Sequence, residues 1–269
     1  MKFKIPKTFM GKPVEGAIDR ALSAKPTTNP DPPAGQGNFT YSFLEGDFGK
    51  EVLAEYNAKA DKDYPGDTAL KKLSFADNFV KGSNPFAFVL LDCILEPKGI
   101  RIASPADLER ALEEGNLNLR GTYGDSALVL RNEGEPNLYH AKALVEQIKQ
   151  RGNFEYPLMI PLRGLDIYTD ANSPHGIAFS LTDYTELIHA LVLNNSSGSK
   201  FNTGDKKGRP ILDAEGKRTL YTAEGGVRRL CRYRDLSLSA GDEVLAYSGE
   251  GGRVIVCREA ARSNSGGSN

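Results

Sequence analysis

The stretch 226–257 constrains this chain more than any other. Leu230, Leu236, Leu238, Ala240, Leu245, Ala246, Ser248, Gly252 and Val254 form a regular frame of small and aliphatic positions. Leu236 and Leu238 alternate with Ser237 and Ser239, and Val254 and Val256 with Ile255 and Cys257, with glycine-rich turns between them. A period of two belongs to strands, whose successive side chains point to opposite faces. Short strands must therefore lie here, with Leu230, Leu236, Leu238, Leu245 and Val254 mostly buried. On this reading the Arg, Cys, Tyr, Asp, Ser, Gly and Glu residues between them are displayed to solvent.

Upstream, helices and strands are mixed. Ser104, Pro105 and Asp107 supply an N-cap, a proline at the first helical position and an early acid; Leu108, Ala111 and Leu112 follow at helical spacing before Gly115. This predicts a helix over 104–114. A second helix is expected over 139–150, with Ala143, Leu144 and Ile148 as its stripe and Lys149, Arg151 and Gly152 at its end. Both are expected to lie outside the display surface. Strands are expected over 126–130, 156–168 and 176–181, whereas 43–72 is charged and weakly helical, breaking at Tyr64-Pro65-Gly66. The polar stretch 194–208 reads as an exposed loop. The sum is an α+β fold with too few helices for a doubly wound sheet.

Domain organisation follows from composition. Residues 25–38 hold four prolines and two glycines and propagate neither a helix nor a central strand. The expected layout is an amino-terminal arm and extension over 1–70, a globular domain over 71–262 and a disordered tail over 263–269. With 269 residues the chain can bury roughly three quarters of its unfolded surface without a staple.

Charge and cysteine content narrow the function. The balance of 34 Lys and Arg against 35 Asp and Glu leaves no overall field for nucleic acid. The three cysteines are widely spaced with no CxxC, so neither a disulfide framework nor a zinc knuckle is written here. The longest apolar stretch, 86–95, contains Asp92 and is about half a membrane span. No classical signal peptide is visible, so the expectation is a cytoplasmic protein unless another route exports it.

Chemical motifs are sparse. His140, His175 and His189 are not at metal-ligand spacing and read as isolated structural or surface residues. No nucleophile elbow or phosphate-binding glycine loop occurs in its required context, so no catalytic residue, metal or cofactor is expected. The 166–174 stretch carries several oxygen ligands but lacks the glycine and closing glutamate of an EF-hand, and reads as a hairpin turn. Glu135-Pro136-Asn137 matches a sugar-binding tripeptide of calcium-dependent lectins, yet it precedes a helix in a chain with no tryptophan, and is set aside.

The carboxy-terminal segment resembles the variable region of diversity-generating retroelement variable proteins. The matching elements are Leu230, the Leu236-Ser237-Leu238 group, Leu245-Ala246 with Ser248, and Gly252-Arg253-Val254. The resemblance is close over about thirty residues; elsewhere only the layout is similar, most like the archaeal branch. It implies a C-type lectin-like fold with short antiparallel strands and two main helices. It also implies a non-enzymatic display protein with a variable region at about 227–251. In that family a reverse transcriptase misincorporates opposite template adenines, so AAC codons become Tyr, Ser, Gly, Asp, Cys or Arg. Glu243 and Glu250 are not reachable in this way.

The expected ligand surface comprises Arg228, Arg229, Cys231, Arg232, Tyr233, Arg234, Asp235, Ser237, Ser239, Gly241, Asp242, Tyr247 and Gly249. Its tyrosine, serine and glycine content has the chemistry of antibody paratopes, and its four arginines form a positive patch favouring an acidic partner. The partner is expected to be a protein or carbohydrate, without nucleic acid. Two other classes compete with this reading: an enzyme with a pocket near Arg163, Asp166, Asp170 and His175, and a viral or surface structural protein whose late strands pack against neighbours.

Overall fold

The computed structural model describes residues 39–259 and the backbone of residues 8–9 and 12–13. The chain divides into two compact units, Met1–Gly37 and Asn38–Asn269. In the first, β1 (Thr8–Phe9) and β2 (Lys12–Pro13) pair antiparallel. The expected connector at 25–38 and tail at 263–269 lie outside the described residues.

The second unit runs β3 (Phe39–Phe43), α1 (Gly46–Asp63), β4 (Ser74–Ala76), β5 (Phe79–Lys81), α2 (Pro85–Leu95), β6 (Ile100–Ile102) and α3 (Pro105–Glu114). It continues with β7 (Gly124–Leu130), α4 (Leu138–Arg151), β8 (Leu158–Pro161), β9 (Leu165–Thr169), β10 (Ile177–Leu181) and β11 (Ile188–His189). Then come β12 (Lys200–Gly204), β13 (Pro210–Leu212), β14 (Arg218–Tyr221), β15 (Val227–Arg232), β16 (Leu238–Asp242) and β17 (Ile255–Glu259). The mixture is α+β, around a curled sheet. That sheet has eight strands in the order β11-β8-β7-β15-β16-β14-β12-β13. Only β14 and β16 run parallel. A second sheet, β3-β17-β6, and the β9-β10 and β4-β5 hairpins complete the strands.

The helices follow their local signals. Ser104 and Asp107 form a reciprocal capping box at the start of α3, Pro105 occupies its first turn, and Gly115 ends it at φ 66°. The apolar stretch 86–95 becomes α2. Asn84 caps it through Ala87 N–H, and nine of its residues are buried, as suits a helix apolar on all sides. Four α-helices are thus present among the described residues, two more than the expected pair. The amphipathic α1 supplies the extra contact surface: Val52, Leu53, Tyr56 and Ala60 enter the main core, and Tyr56 donates to Leu70 O at 2.6 Å. Residues 39–70, read from the sequence as part of the extension, therefore belong to the globular unit, with β3 pairing along β17.

The central strands are covered on both faces. One side carries the main core, where Leu128, Leu130, Val227, Leu158 and Ile160 meet helices α1, α2 and α4. The other carries Ala127, Val129, Leu230, Leu238, Ala240, Leu220 and Phe201. Phe201 lies on β12, inside the stretch expected to be an exposed loop. It is fully buried, with the Arg218 guanidinium 4.3 Å above its ring. The expected strand over 156–168 is divided into β8 and β9 by Leu162-Arg163-Gly164, where Gly164 turns the chain at φ 80°.

The expected frame is largely as read. Leu230, Leu238, Leu245 and Val254 are buried and Leu236 is half-buried. The expected alternation is corrected: Ser237 and Ser239 are buried as fully as the leucines beside them, because a second layer covers the face they occupy.

Candidate binding surface

Strand β15 lies between β7 and β16, and both neighbours are irregular against it. Cα pairing passes from Leu230↔Ala127 to Cys231↔Asp125, leaving Ser126 as an extra residue in β7. On the other side it passes from Arg229↔Asp242 to Cys231↔Ser239, leaving one extra residue in β16 beside Gly241. A bulge turns the following side chains onto the opposite face. Asp125, Arg229, Cys231, Ser239 and Asp242 therefore share one face, although simple alternation from the frame leucines does not place them so.

These residues form a mostly buried polar floor. The Arg229 guanidinium, 2% exposed, lies 2.6 Å from Asp242 Oδ2 and 3.4 Å from Asp125 Oδ2, and donates to Tyr247 O at 3.0 Å. Ser83 Oγ sits 2.5 Å from the same Asp125 oxygen. Burial pushes the Asp125 carboxyl up to about 6 against the opposing pull of Arg229 and Ser83. Burial also raises the Cys231 thiol well above its ordinary range, so it is no nucleophile at neutral pH.

The opposite face holds the other buried arginine of this strand. Arg232, 1% exposed, donates to Leu119 O, Thr122 O and Tyr233 O at 2.8, 2.9 and 3.2 Å. Burial, with Arg218 nearby, lowers its pKa to about 10. Arg228 is half-buried and spends its guanidinium on Gly241 O, Glu224 O and Glu243. Of the four arginines only Arg234 is exposed, so the positive patch read from the sequence is not formed.

Of the thirteen expected surface residues, Arg229, Cys231, Arg232, Ser237 and Ser239 are buried, which corrects their assignment to an open display face. Arg228, Gly241, Asp242 and Gly249 are half-buried, and Tyr233, Arg234, Asp235 and Tyr247 are exposed. The two tyrosines lie over the floor. Burial raises the Tyr233 hydroxyl pKa, against the opposing effect of the nearby Ser239 hydroxyl. Tyr247 lies over the Arg229 guanidinium at 5.3 Å. Tyr221, which the sequence reading passed over, meets Tyr233 with ring centroids 6.0 Å apart. Its signal was available in β14, whose exposed position pairs with Ser239. Gly249 has a steric role: a Cβ there would stand 3.0 Å from Tyr247 Oη and 3.4 Å from Tyr123 Oη.

The alternative catalytic group does not converge as a whole: only Asp170 and His175 come near one another, both beside His140. Arg163 precedes β9 and Asp170 follows it, about 16 Å of strand apart at roughly 3.3 Å per residue. Asp166 is exposed between them and accepts from Ile167 N–H at 2.7 Å, while Asp170 accepts from Tyr139 Oη and from Asn172 N–H. His175 instead stacks on His140, with centroids 5.6 Å apart, so these two histidines are not isolated. The stretch 166–174 covers most of β9 and the first part of the β9-β10 hairpin turn. Among the described residues no group of three or more His, Cys, Asp or Glu is placed to hold a metal ion. No helix of the described residues is long and apolar enough to cross a membrane.

No protein-family profile, curated protein or solved structure gives a significant match to this chain.

Proposed function

We propose that this chain is a non-enzymatic ligand-binding protein. On this reading it is a diversity-generating retroelement variable protein of archaeal type, its C-type lectin-like fold presenting a variable surface to a protein or carbohydrate. One observation carries the reading: Tyr233, Arg234, Asp235 and Tyr247 are exposed on loops whose supporting residues Leu230, Leu238, Leu245 and Val254 are buried. Altering packed residues costs a few kcal/mol each, whereas exposed changes usually stay within about 0.5 kcal/mol, so such an arrangement separates variation from stability. Tyrosine, arginine, aspartate and glycine are also residue types reachable from AAC codons by substitution at adenines. Variation concentrates on the exposed positions, and Arg229 and Arg232 act as support.

The test has two parts. The genetic locus is expected to hold a reverse transcriptase gene and a near-copy of the 227–251 coding region differing mainly at adenines. A library randomised at Tyr233, Arg234, Asp235 and Tyr247 is expected to keep its melting temperature in most clones, while one randomised at Arg229 and Arg232 loses it. A locus without the repeat, or equal intolerance in both libraries, refutes the proposal.

A further inference from the structure

The first turn of α4 carries two features that meet. Asn137, which precedes Leu138, holds the left-handed conformation at φ 60° and donates through Nδ2 to Val227 O at 2.9 Å and Glu243 O at 2.8 Å. It thereby ties the start of the helix to the start of β15 and to the loop bearing Val244 and Tyr247. Three residues on, His140 is 1% exposed, and neither ring nitrogen has a hydrogen-bond partner.

His140 is enclosed by rings. Phe86 of α2 and Phe179 of β10 lie 5.5 and 5.7 Å from it, and both they and Tyr139 meet it at steep angles. The His175 imidazole stacks on it nearly parallel, at 15°. Two charged groups face this pair: Asp170, in the turn after β9, acts on His140, and Asp67, in the loop after α1, acts on His175. Asp170 already accepts from Tyr139 Oη and Asn172 N–H, and neither carboxylate bonds an imidazole nitrogen. A proton on His140 therefore puts a cation into an aromatic cage with no acceptor for its ring N–H groups.

We propose that the His140–His175 pair makes the start of α4 an acid-sensitive latch, which on protonation releases the Asn137 clamp on Glu243 and loosens residues 243–244, while buried Leu245 and the Arg229 bond to Tyr247 O keep the rest of the loop in place. The direction follows from linkage. Burial, with His175 beside it, lowers the His140 pKa from 6.5 to about 4, so the closed state holds the ring neutral. An opened state titrates near 6.5, and opening becomes more favourable as pH falls from there toward 4. At pH 5 the opening equilibrium is raised by about 30-fold relative to pH 7.5. The latch stands on the geometry of α4, whatever the exposed loop binds.

Hydrogen–deuterium exchange of the full chain at pH 7.5 and pH 5.0, corrected for intrinsic exchange, tests this. Amides over 138–145 and at 243–244 are both expected to lose protection at pH 5.0, by up to about 30-fold. His140→Phe, which fits an aromatic site and cannot titrate, is expected to remove the pH dependence. Asn137→Gly suits the left-handed backbone and is expected to loosen 243–244 at pH 7.5 while 138–145 keeps its pH response. Protection independent of pH in the wild type overturns the proposal, whether or not the variants fold. Loosening of 138–145 alone, or an unchanged response in His140→Phe, overturns it too.

Discussion

At the scale of single residues, Arg229 shows how far a side chain's role departs from its sequence neighbourhood. It stands among Arg228, Arg232 and Arg234, yet its charge is answered by Asp125 and Asp242 inside the molecule. Removing one partner of a buried pair leaves the other uncompensated, which costs about 3–5 kcal/mol. Arg229→Ala is expected to lose that much in urea denaturation at pH 8. The loss should shrink at pH 5, because the Asp125 carboxyl, already raised to about 6 by burial, rises further without Arg229 and takes up a proton. A loss equal at both pH values would show that Asp125 is not the group left stranded. Leu236 makes a different compromise. It sits at φ 73°, where a non-glycine side chain is strained by roughly 1–2 kcal/mol, and is kept by packing near Ala103, Leu108, Leu119 and Ile255.

At the scale of elements, legibility depends on where the determining contacts lie. Helix α3 was readable because Ser104, Pro105, Asp107 and Gly115 are neighbours in sequence and act within one helix. Ser104→Ala is expected to cost about 1 kcal/mol by thermal melting, the usual value of an N-cap. Strand β12 was not readable: its Lys, Asn, Thr and Gly content reflects a position near the sheet edge, and Phe201 alone reports the core beneath it. Phe201→Ala is expected to cost about 3–5 kcal/mol, a loss that an exposed loop residue would not show. The burial of Arg229 and Ser239 was equally hidden. It depends on the layer that covers their face, and the bulges in β7 and β16 that bring Asp125 and Asp242 to the same face leave no mark on the local period of two. The frame leucines were legible because their burial follows from that period alone, while which polar residues are exposed depends on the covering layer.

At the scale of the whole molecule, pairings distant in sequence hold the compact unit together. Val227 pairs with Leu130, and Val256 with both Ser42 and Ile102. A chain ending at residue 226 therefore leaves β7 without its β15 partner and β3 and β6 without β17. Such a fragment is expected to show no cooperative unfolding transition by circular dichroism, whereas a carboxy-terminal half that was only a surface appendage would leave the transition in place. Pairings of this kind form slowly, since loop closure must precede the contacts that reward it.

The central position of β15 bears on protein synthesis. During translation β7, β8 and helices α1 to α4 leave the ribosome well before the strand that must enter beside them, so the sheet stays open until β15 to β17 have followed. Until then the apolar edge of β7 is available to chaperones and proteases. A copy whose late segment cannot satisfy both covered faces of β15 is therefore expected to keep that edge open.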